Sequence, residues 1–229
     1  MQLTNIYKKF DKKVVFEDFS MNFDEHKITC ILGKSGCGKT TLLNIIAGVI
    51  TAESGVVVGK SEKISYIFQN QLLLKNLTVY KNLEYVLKNT VFSKEEINKQ
   101  IKAILDKVQL SEYAKYYPKQ LSGGMAQRVS LARAFVYPSD LILMDEPFKG
   151  LDVSLKKRIM NLFKDLYRDN SKTTIFVTHD IEESLILGDR IIVLDDGGKI
   201  LLDKKIAQSI FERDINSLAD LRAEIYNII

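Results

Sequence analysis

Residues Gly33-Lys34-Ser35-Gly36-Cys37-Gly38-Lys39-Thr40 fit, without a mismatch, the pattern of a loop that cradles phosphate. Glycines let backbone N–H groups turn inward around an anion, and a helix start behind them adds partial positive charge. In that chemistry Lys39 reaches the β- and γ-phosphates of a nucleoside triphosphate, and the Thr40 hydroxyl ligates Mg²⁺. A second group, Asp145-Glu146, ends the apolar run Leu141-Ile142-Leu143-Met144 and precedes Pro147. Ligands of parallel α/β sheets sit at the carboxyl ends of strands, where a phosphate loop also lies. Asp145 would hold Mg²⁺, and Glu146 would orient and deprotonate an attacking water. An ordinary carboxylate suffices, because phosphoryl transfer depends mainly on positioning and charge stabilisation. A third group is Leu121-Ser122-Gly123-Gly124-Met125, ahead of the helix-like run Ala126 to Phe135. Ser122 could cap that helix, and the glycines would expose N–H groups to an anion, so the chain offers two helix starts suited to phosphate.

The elements that must position these groups read as follows. Ile28-Thr29-Cys30-Ile31-Leu32 is β-like and Thr41-Leu42-Leu43-Asn44-Ile45-Ile46-Ala47 helix-like, which gives the first loop its strand–loop–helix setting. Leu3 to Phe10 and Val14 to Phe23 predict two antiparallel strands around an Asp11-Lys12-Lys13 turn. Gly55 to Gly59 and Ile64 to Phe68 are strand-like. Ser93-Lys94-Glu95-Glu96 is a capping box, followed by Ile97, Ile101, Ile104, Leu105 and Val108 at helical spacing. Leu141–Met144 predicts a buried strand, and 153–167 a helix. A strand is expected at Thr174–Thr178, then a short helix through Leu185, and a hairpin from Arg190 to Leu202 turning at Asp195-Asp196-Gly197-Gly198. From Lys204 onward the pattern predicts amphipathic helix.

At 229 residues with 46% hydrophobic content, the chain can bury one α/β core with a sub-domain inserted. No window approaches the roughly 18 consecutive apolar residues of a membrane span, and Met1-Gln2-Leu3-Thr4-Asn5 lacks the layout of a signal peptide. A cytosolic protein whose membrane link runs through a partner is expected. Cys30 and Cys37 fit no metal spacing and offer no disulfide framework; Cys30 reads as a buried strand residue and Cys37 as filler in the loop. The formal charge of +4 is spread over short basic clusters without interleaved aromatics, so no nucleic-acid partner is expected.

Taken in order, these elements make the chain resemble the nucleotide-binding subunit of an ABC transporter over nearly its whole length. Gly33–Thr40, continued by Thr41, is similar to the Walker A loop, and Leu141–Glu146 to the Walker B strand with its catalytic glutamate. Gln69, after Tyr66-Ile67-Phe68, resembles the Q-loop glutamine. Leu121–Met125 resembles the LSGGQ signature, Leu151-Asp152 the D-loop, and His179 the switch histidine. Phe10 stands where the family places an aromatic that stacks on adenine. The resemblance implies an α/β P-loop NTPase (ABC ATPase) with an N-terminal antiparallel β portion. Residues 1–229 would be a single ATP-binding domain, with a RecA-like core at about 1–73 and 138–229 and an inserted helical signature sub-domain at about 74–137.

It further implies ATP and Mg²⁺ as cofactors and two cassettes paired head to tail, each ATP lying between one Walker A loop and the opposite signature. Ser122 and Gly124 would contact the γ-phosphate held by the other subunit, and Asp152 would cross the same interface. Gln69 would meet Mg²⁺ and the attacking water while its loop touches the membrane partner, and His179 would hydrogen-bond the γ-phosphate. Met125 replaces the final Gln of the signature, and Lys149-Gly150 replaces the small pair usual before the D-loop. Met125 with Gln127-Arg128 and Asp145-Glu146-Pro147-Phe148 resembles the importer branch for nitrate, sulfonate, taurine and thiamine-precursor substrates. The implied protein is an energy-coupling ATPase on the cytoplasmic face of the membrane, docked on permease subunits served by an extracytoplasmic binding protein. An exporter or lipid-extracting cassette, or a soluble non-transport cassette, are the alternatives; the last typically carries two cassettes or a long coiled-coil insertion. His26 matches no motif and reads as a surface turn residue.

Overall fold

Nine strands and seven α-helices form in the computed structural model, which describes residues 1–229. Three strands, β1 (Gln2–Phe10), β2 (Lys13–Asn22) and β4 (Ser54–Val58), make an antiparallel sheet in the order β2-β1-β4. A second sheet has the order β5-β6-β7-β3-β8-β9, from β3 (Ile28–Gly33), β5 (Ile64–Ile67), β6 (Leu141–Asp145), β7 (Thr173–Thr178), β8 (Arg190–Leu194) and β9 (Ile200–Lys205). Its centre is parallel: β3 lies between β7 and β8, and β6 pairs with β7. These central strands read as unbroken apolar runs because both faces are covered; every residue of β3, β6 and β8 is buried.

Helix α1 (Lys39–Ala47) follows β3 directly. Its Leu42, Leu43 and Ile46 share one core with Leu3, Ile6 and Phe16 of the antiparallel sheet and with Ile31, Leu143, Ile175 and Ile192 of the other. Burying each such side chain contributes about 1.5–3 kcal/mol, so the helix that carries the loop is fixed from both sides. The helix ends at Gly48 (φ 76°), whose N–H bonds the Asn44 and Ile45 carbonyls, a left-handed cap that favours glycine.

The chain divides into two compact units, one of residues 1–66, 140–146 and 171–229 and the other of 67–139 and 147–170. The second unit is helical: α2 (Val79–Leu87), α3 (Lys94–Lys107), α4 (Gly123–Val136) and α5 (Val153–Asp169), with short 3₁₀ turns between α3 and α4. Ser93 and Glu96 form a reciprocal capping box at the start of α3. Phe135 of α4 meets Phe163 of α5 edge-on at 5.8 Å between ring centroids. Helix α5 therefore packs with the helical unit, whereas the sequence grouped it with the sheet core. Buried Asn82 spends its whole amide on backbone, accepting from Leu74 N and donating to the Leu74, Leu77 and Thr78 carbonyls, which fixes the segment before α2.

The expected helix from Lys204 onward is not what forms. Strand β9 runs to Lys205, paired antiparallel with β8 and anchored by Arg190, which donates to Asp203 at 2.6 Å. A loop follows, held by Arg213, which donates to the carbonyls of Leu185, Gly188 and Gln208 at 2.6–2.8 Å. A 3₁₀ turn at Ile215–Leu218 leads into the only α-helix of the tail, α7 (Ala219–Ile228); α6 (Ile181–Leu187) follows β7. No helix is long and apolar enough to cross a membrane.

Candidate active site

The phosphate loop leaves β3 at Gly33 and delivers Lys39 as the first residue of α1. Gly38, at φ 102°, has no room for a side chain: a Cβ there would stand 2.6 Å from Val15 and 2.9 Å from Phe16. Lys39 is buried, and its Nζ donates to the Gly33 carbonyl at 2.6 Å and to that of Lys34 at 2.8 Å, so the ammonium sits inside the curl of the loop. Cys37 is buried beside it, with Sγ 3.7 Å from Lys39 Nζ. Buried Cys30 lies in β3, and burial pushes its thiol well above the usual range.

One residue further along α1, the Thr40 hydroxyl donates to Asp145 Oδ1 at 3.1 Å. This joins the loop to the carboxyl end of β6 across 105 residues of chain. Paired oxygen donors of this kind suit a hard divalent cation. Tyr66 stands nearby, donating to Asn44 Oδ1 at 3.1 Å; burial, with Asp145 adding to it, pushes its phenol far above the ordinary value.

Glu146, next after β6, is almost buried and takes φ 43°, a left-handed conformation that glutamate rarely adopts. Its N–H donates to the Val177 carbonyl at 2.9 Å, which holds the turn. Half-exposed His179, following β7, brings Nδ1 to 3.3 Å from Glu146 Oε2. One unit thus assembles loop, lysine, hydroxyl–carboxylate pair, second carboxylate and histidine around the carboxyl ends of β3, β6 and β7. Half-exposed Phe10 closes β1 of the same unit.

In the helical unit, Ser122 caps α4, its Oγ accepting from Met125 N at 3.3 Å. The helix begins at Gly123, so the signature glycines form its first turn, earlier than the run starting at Ala126. Gly123 faces open space. Gly124 is buried, and a Cβ there would come within 2.8 Å of Leu155, so this glycine also lets α4 approach α5. Asp152 caps α5, and the Leu155 N–H and Ser154 hydroxyl bonded to its carboxylate hold it below the ordinary carboxylate range. Ser122, Met125, Asp152, Arg128 and Arg158 line an open groove of about 790 Å³ in this unit. Gln69 of the same unit is exposed, and so is Lys149.

Lys13 and Lys8 fall outside the motifs, and the motif residue Gln127 has a bracing role that its motif does not announce. Lys13 donates to the Gly36 carbonyl at 3.2 Å, bringing the β1–β2 turn to the loop; nothing in its local sequence signals this. Lys8 lies beside Phe10, and its place two residues earlier on one strand is a signal that could have found it. Buried Gln127 donates to the Pro147 carbonyl at 2.6 Å and accepts from Gln71 Nε2 at 3.1 Å, while the Gln71 carbonyl accepts from Ser130. Gln127→Leu leaves that carbonyl and that amide unsatisfied. It is expected to cost about 1–3 kcal/mol, read as a lower midpoint in urea unfolding. An unchanged midpoint would show that water replaces the lost bonds.

The model of the ABC transporter family matches residues 16–149, more than half of the chain, and the chain belongs to that family. It has the mixed α/β fold of an ABC cassette: it superimposes on the dimeric post-hydrolysis structure of the ATP-binding cassette MJ0796 bound to ADP and Pi with a TM-score of 0.77 and 31% identity, covering 91% of this chain and 99% of that one. Among curated relatives, it is 37% identical over 211 residues to the sulfate/thiosulfate import ATP-binding protein CysA of Mannheimia succiniciproducens. It is 38% identical over 207 residues to the Fe(3+) ions import ATP-binding protein FbpC of Fusobacterium nucleatum. Each alignment takes in 86% of this chain but only 59% and 56%, respectively, of the relative's length.

Proposed function

We propose that the chain is the ATP-binding and ATP-hydrolysing subunit that energises a membrane importer of a small solute. The observation that carries this reading is the buried Lys39 ammonium inside a glycine loop, one residue from the Thr40–Asp145 pair. Backbone N–H groups of Gly33–Thr41 and the α1 N-terminus would receive the phosphates, with Lys39 supplying the counter-charge. Thr40 and Asp145 would hold Mg²⁺, which when bound neutralises charge on the phosphate oxygens.

Glu146 would take the proton of the attacking water as its oxygen bonds to the γ-phosphorus and the bond to the β,γ-bridging oxygen breaks, with ADP leaving. His179, through Nδ1, would keep that carboxylate in place. The same imidazole would hydrogen-bond the γ-phosphate. Phe10 would stack on adenine.

A second capped helix start, at Ser122, supports a homodimer in which Ser122, Gly124 and the 121–125 segment meet the γ-phosphate held by the partner, with Asp152 at the same interface. Ser122→Arg is expected to bind ATP as wild type yet remain monomeric by light scattering, with turnover reduced roughly tenfold or more. A dimer of wild-type strength would refute this arrangement.

The import reading draws on relatives named as import ATP-binding proteins. By likeness to them the chain would sit on the cytoplasmic face, docked on permease subunits that receive solute from an extracytoplasmic binding protein. The finer placement in the nitrate, sulfonate, taurine and thiamine-precursor branch rests on Met125, Gln127-Arg128 and Asp145–Phe148 alone, while the two relatives are named for sulfate/thiosulfate and Fe(3+). Affinity capture of Glu146→Gln protein with ATP from gently solubilised membranes tests the role. A multi-span permease with a binding-protein partner supports import and narrows the solute; recovery of soluble proteins only refutes it.

A further inference from the structure

Lys8 and Phe10 leave β1 on the same side, two residues apart. The Lys8 ammonium stands 5.0 Å from the centroid of the Phe10 ring, within cation–π range. It is almost buried, fixed by the Thr51 carbonyl at 2.8 Å and the Glu53 carboxylate at 2.9 Å. Glu53 is itself tied to β1: its carboxylate accepts from Lys9 N at 3.2 Å, and its own N–H donates to the Tyr7 carbonyl at 3.0 Å. Phe10 nevertheless remains 48% exposed. The cation therefore holds the ring while much of its surface stays open to a flat ligand.

Two physical consequences follow from this pairing. A ring held by a fixed cation has fewer orientations to lose when a base stacks on it. The ammonium also draws π-density toward itself, so the rest of the ring becomes electron-poor and stacks better on an electron-rich purine. Thr51 and Glu53 lie just beyond Gly48, the cap of α1. Lys8 thus ties the ring's strand to the segment leaving the phosphate-binding helix, and so sets the span between base platform and phosphate loop.

We infer that Lys8 is a positioning residue for the purine base of the bound nucleotide, acting through Phe10. The inference rests on the reading of Phe10 as the adenine platform. It separates base recognition from phosphate recognition, and the two can be measured apart. Full-length wild type, Lys8→Met, Lys8→Arg, Phe10→Leu and the Lys8→Met/Phe10→Leu double variant are titrated with Mg²⁺·ATP and with inorganic tripolyphosphate, which has no base. Lys8→Met is expected to weaken ATP binding roughly three- to tenfold, leave tripolyphosphate binding and kcat unchanged, and add nothing once Phe10 is Leu. Lys8→Arg, which keeps the cation, is expected to restore ATP affinity.

Undiminished ATP affinity in Lys8→Met overturns the inference. So does equal weakening of ATP and tripolyphosphate, which marks a merely structural lysine, or an undiminished loss on the Phe10→Leu background. Should Lys8→Met fail to fold, Lys8→Gln serves the same comparison. A wild-type protein that binds neither ligand removes the nucleotide reading itself. A failure confined to the Lys8 comparison leaves that reading intact.

Discussion

Glu146→Gln is expected to bind ATP as tightly as wild type and to hydrolyse it roughly 10²–10⁴-fold more slowly. The substitution keeps the side chain's size and leaves the N–H of residue 146 on the Val177 carbonyl. It also leaves an amide oxygen that can accept from His179 Nδ1, where the carboxylate now lies at 3.3 Å. What it removes is the basicity needed to take a proton from water. Neutral amide and charged carboxylate share the same strained backbone, so thermal stability should stay near wild type. Uncleaved ATP would then hold two cassettes together, and light scattering with and without ATP should show a nucleotide-dependent dimer. Phosphate release at the wild-type rate would take Glu146 out of the proposed chemistry.

Lys39→Ala is the other large effect. The ammonium is buried and bonded to two loop carbonyls, so its removal takes away both the brace of the loop and the positive charge that would meet the phosphates. Truncating one partner of a buried charge interaction costs about 2–5 kcal/mol, a loss of ATP affinity of about 30-fold to a few thousandfold. Calorimetric titration of a variant with wild-type circular dichroism is the measurement. Near-normal affinity would mean that the glycine loop and the α1 N-terminus hold the phosphates alone.

What the sequence disclosed was local. The strand–loop–helix at 28–47 was legible because strand, turn glycines and helix are contiguous, each with its own pattern. The capping box at Ser93 and the turn at Asp195–Gly198 were legible for the same reason: Glu96 reaches back to Ser93, and Asp195 Oδ1 accepts from Gly197 N and Lys199 N within the turn. The remainder depends on partners far along the chain. No local pattern says that β3 lies between β7 and β8, or that Thr40 meets Asp145. The apolar stripe of α5, with Ile159, Met160, Phe163 and Leu166, announces that the helix is buried but not against what; its contact with Phe135 of α4 is non-local. The 204–214 segment differs for another reason: the second strand of the hairpin, expected to Leu202, runs on to Lys205, and Arg213 ties the following loop to the Leu185 and Gly188 carbonyls, partners no local pattern announces. The spacing of Lys8 from Phe10 is local, but Thr51 and Glu53, which fix the ammonium, come more than forty residues later.

At position 146 the backbone conformation, φ 43°, is one that glycine or asparagine would adopt at less cost, yet the chain places a glutamate there. Foldability and turnover therefore pull this residue in opposite directions. A library of this cassette ranked only by heat tolerance would drift toward Gly or Asn at 146, and its sturdiest members would be those that had stopped working.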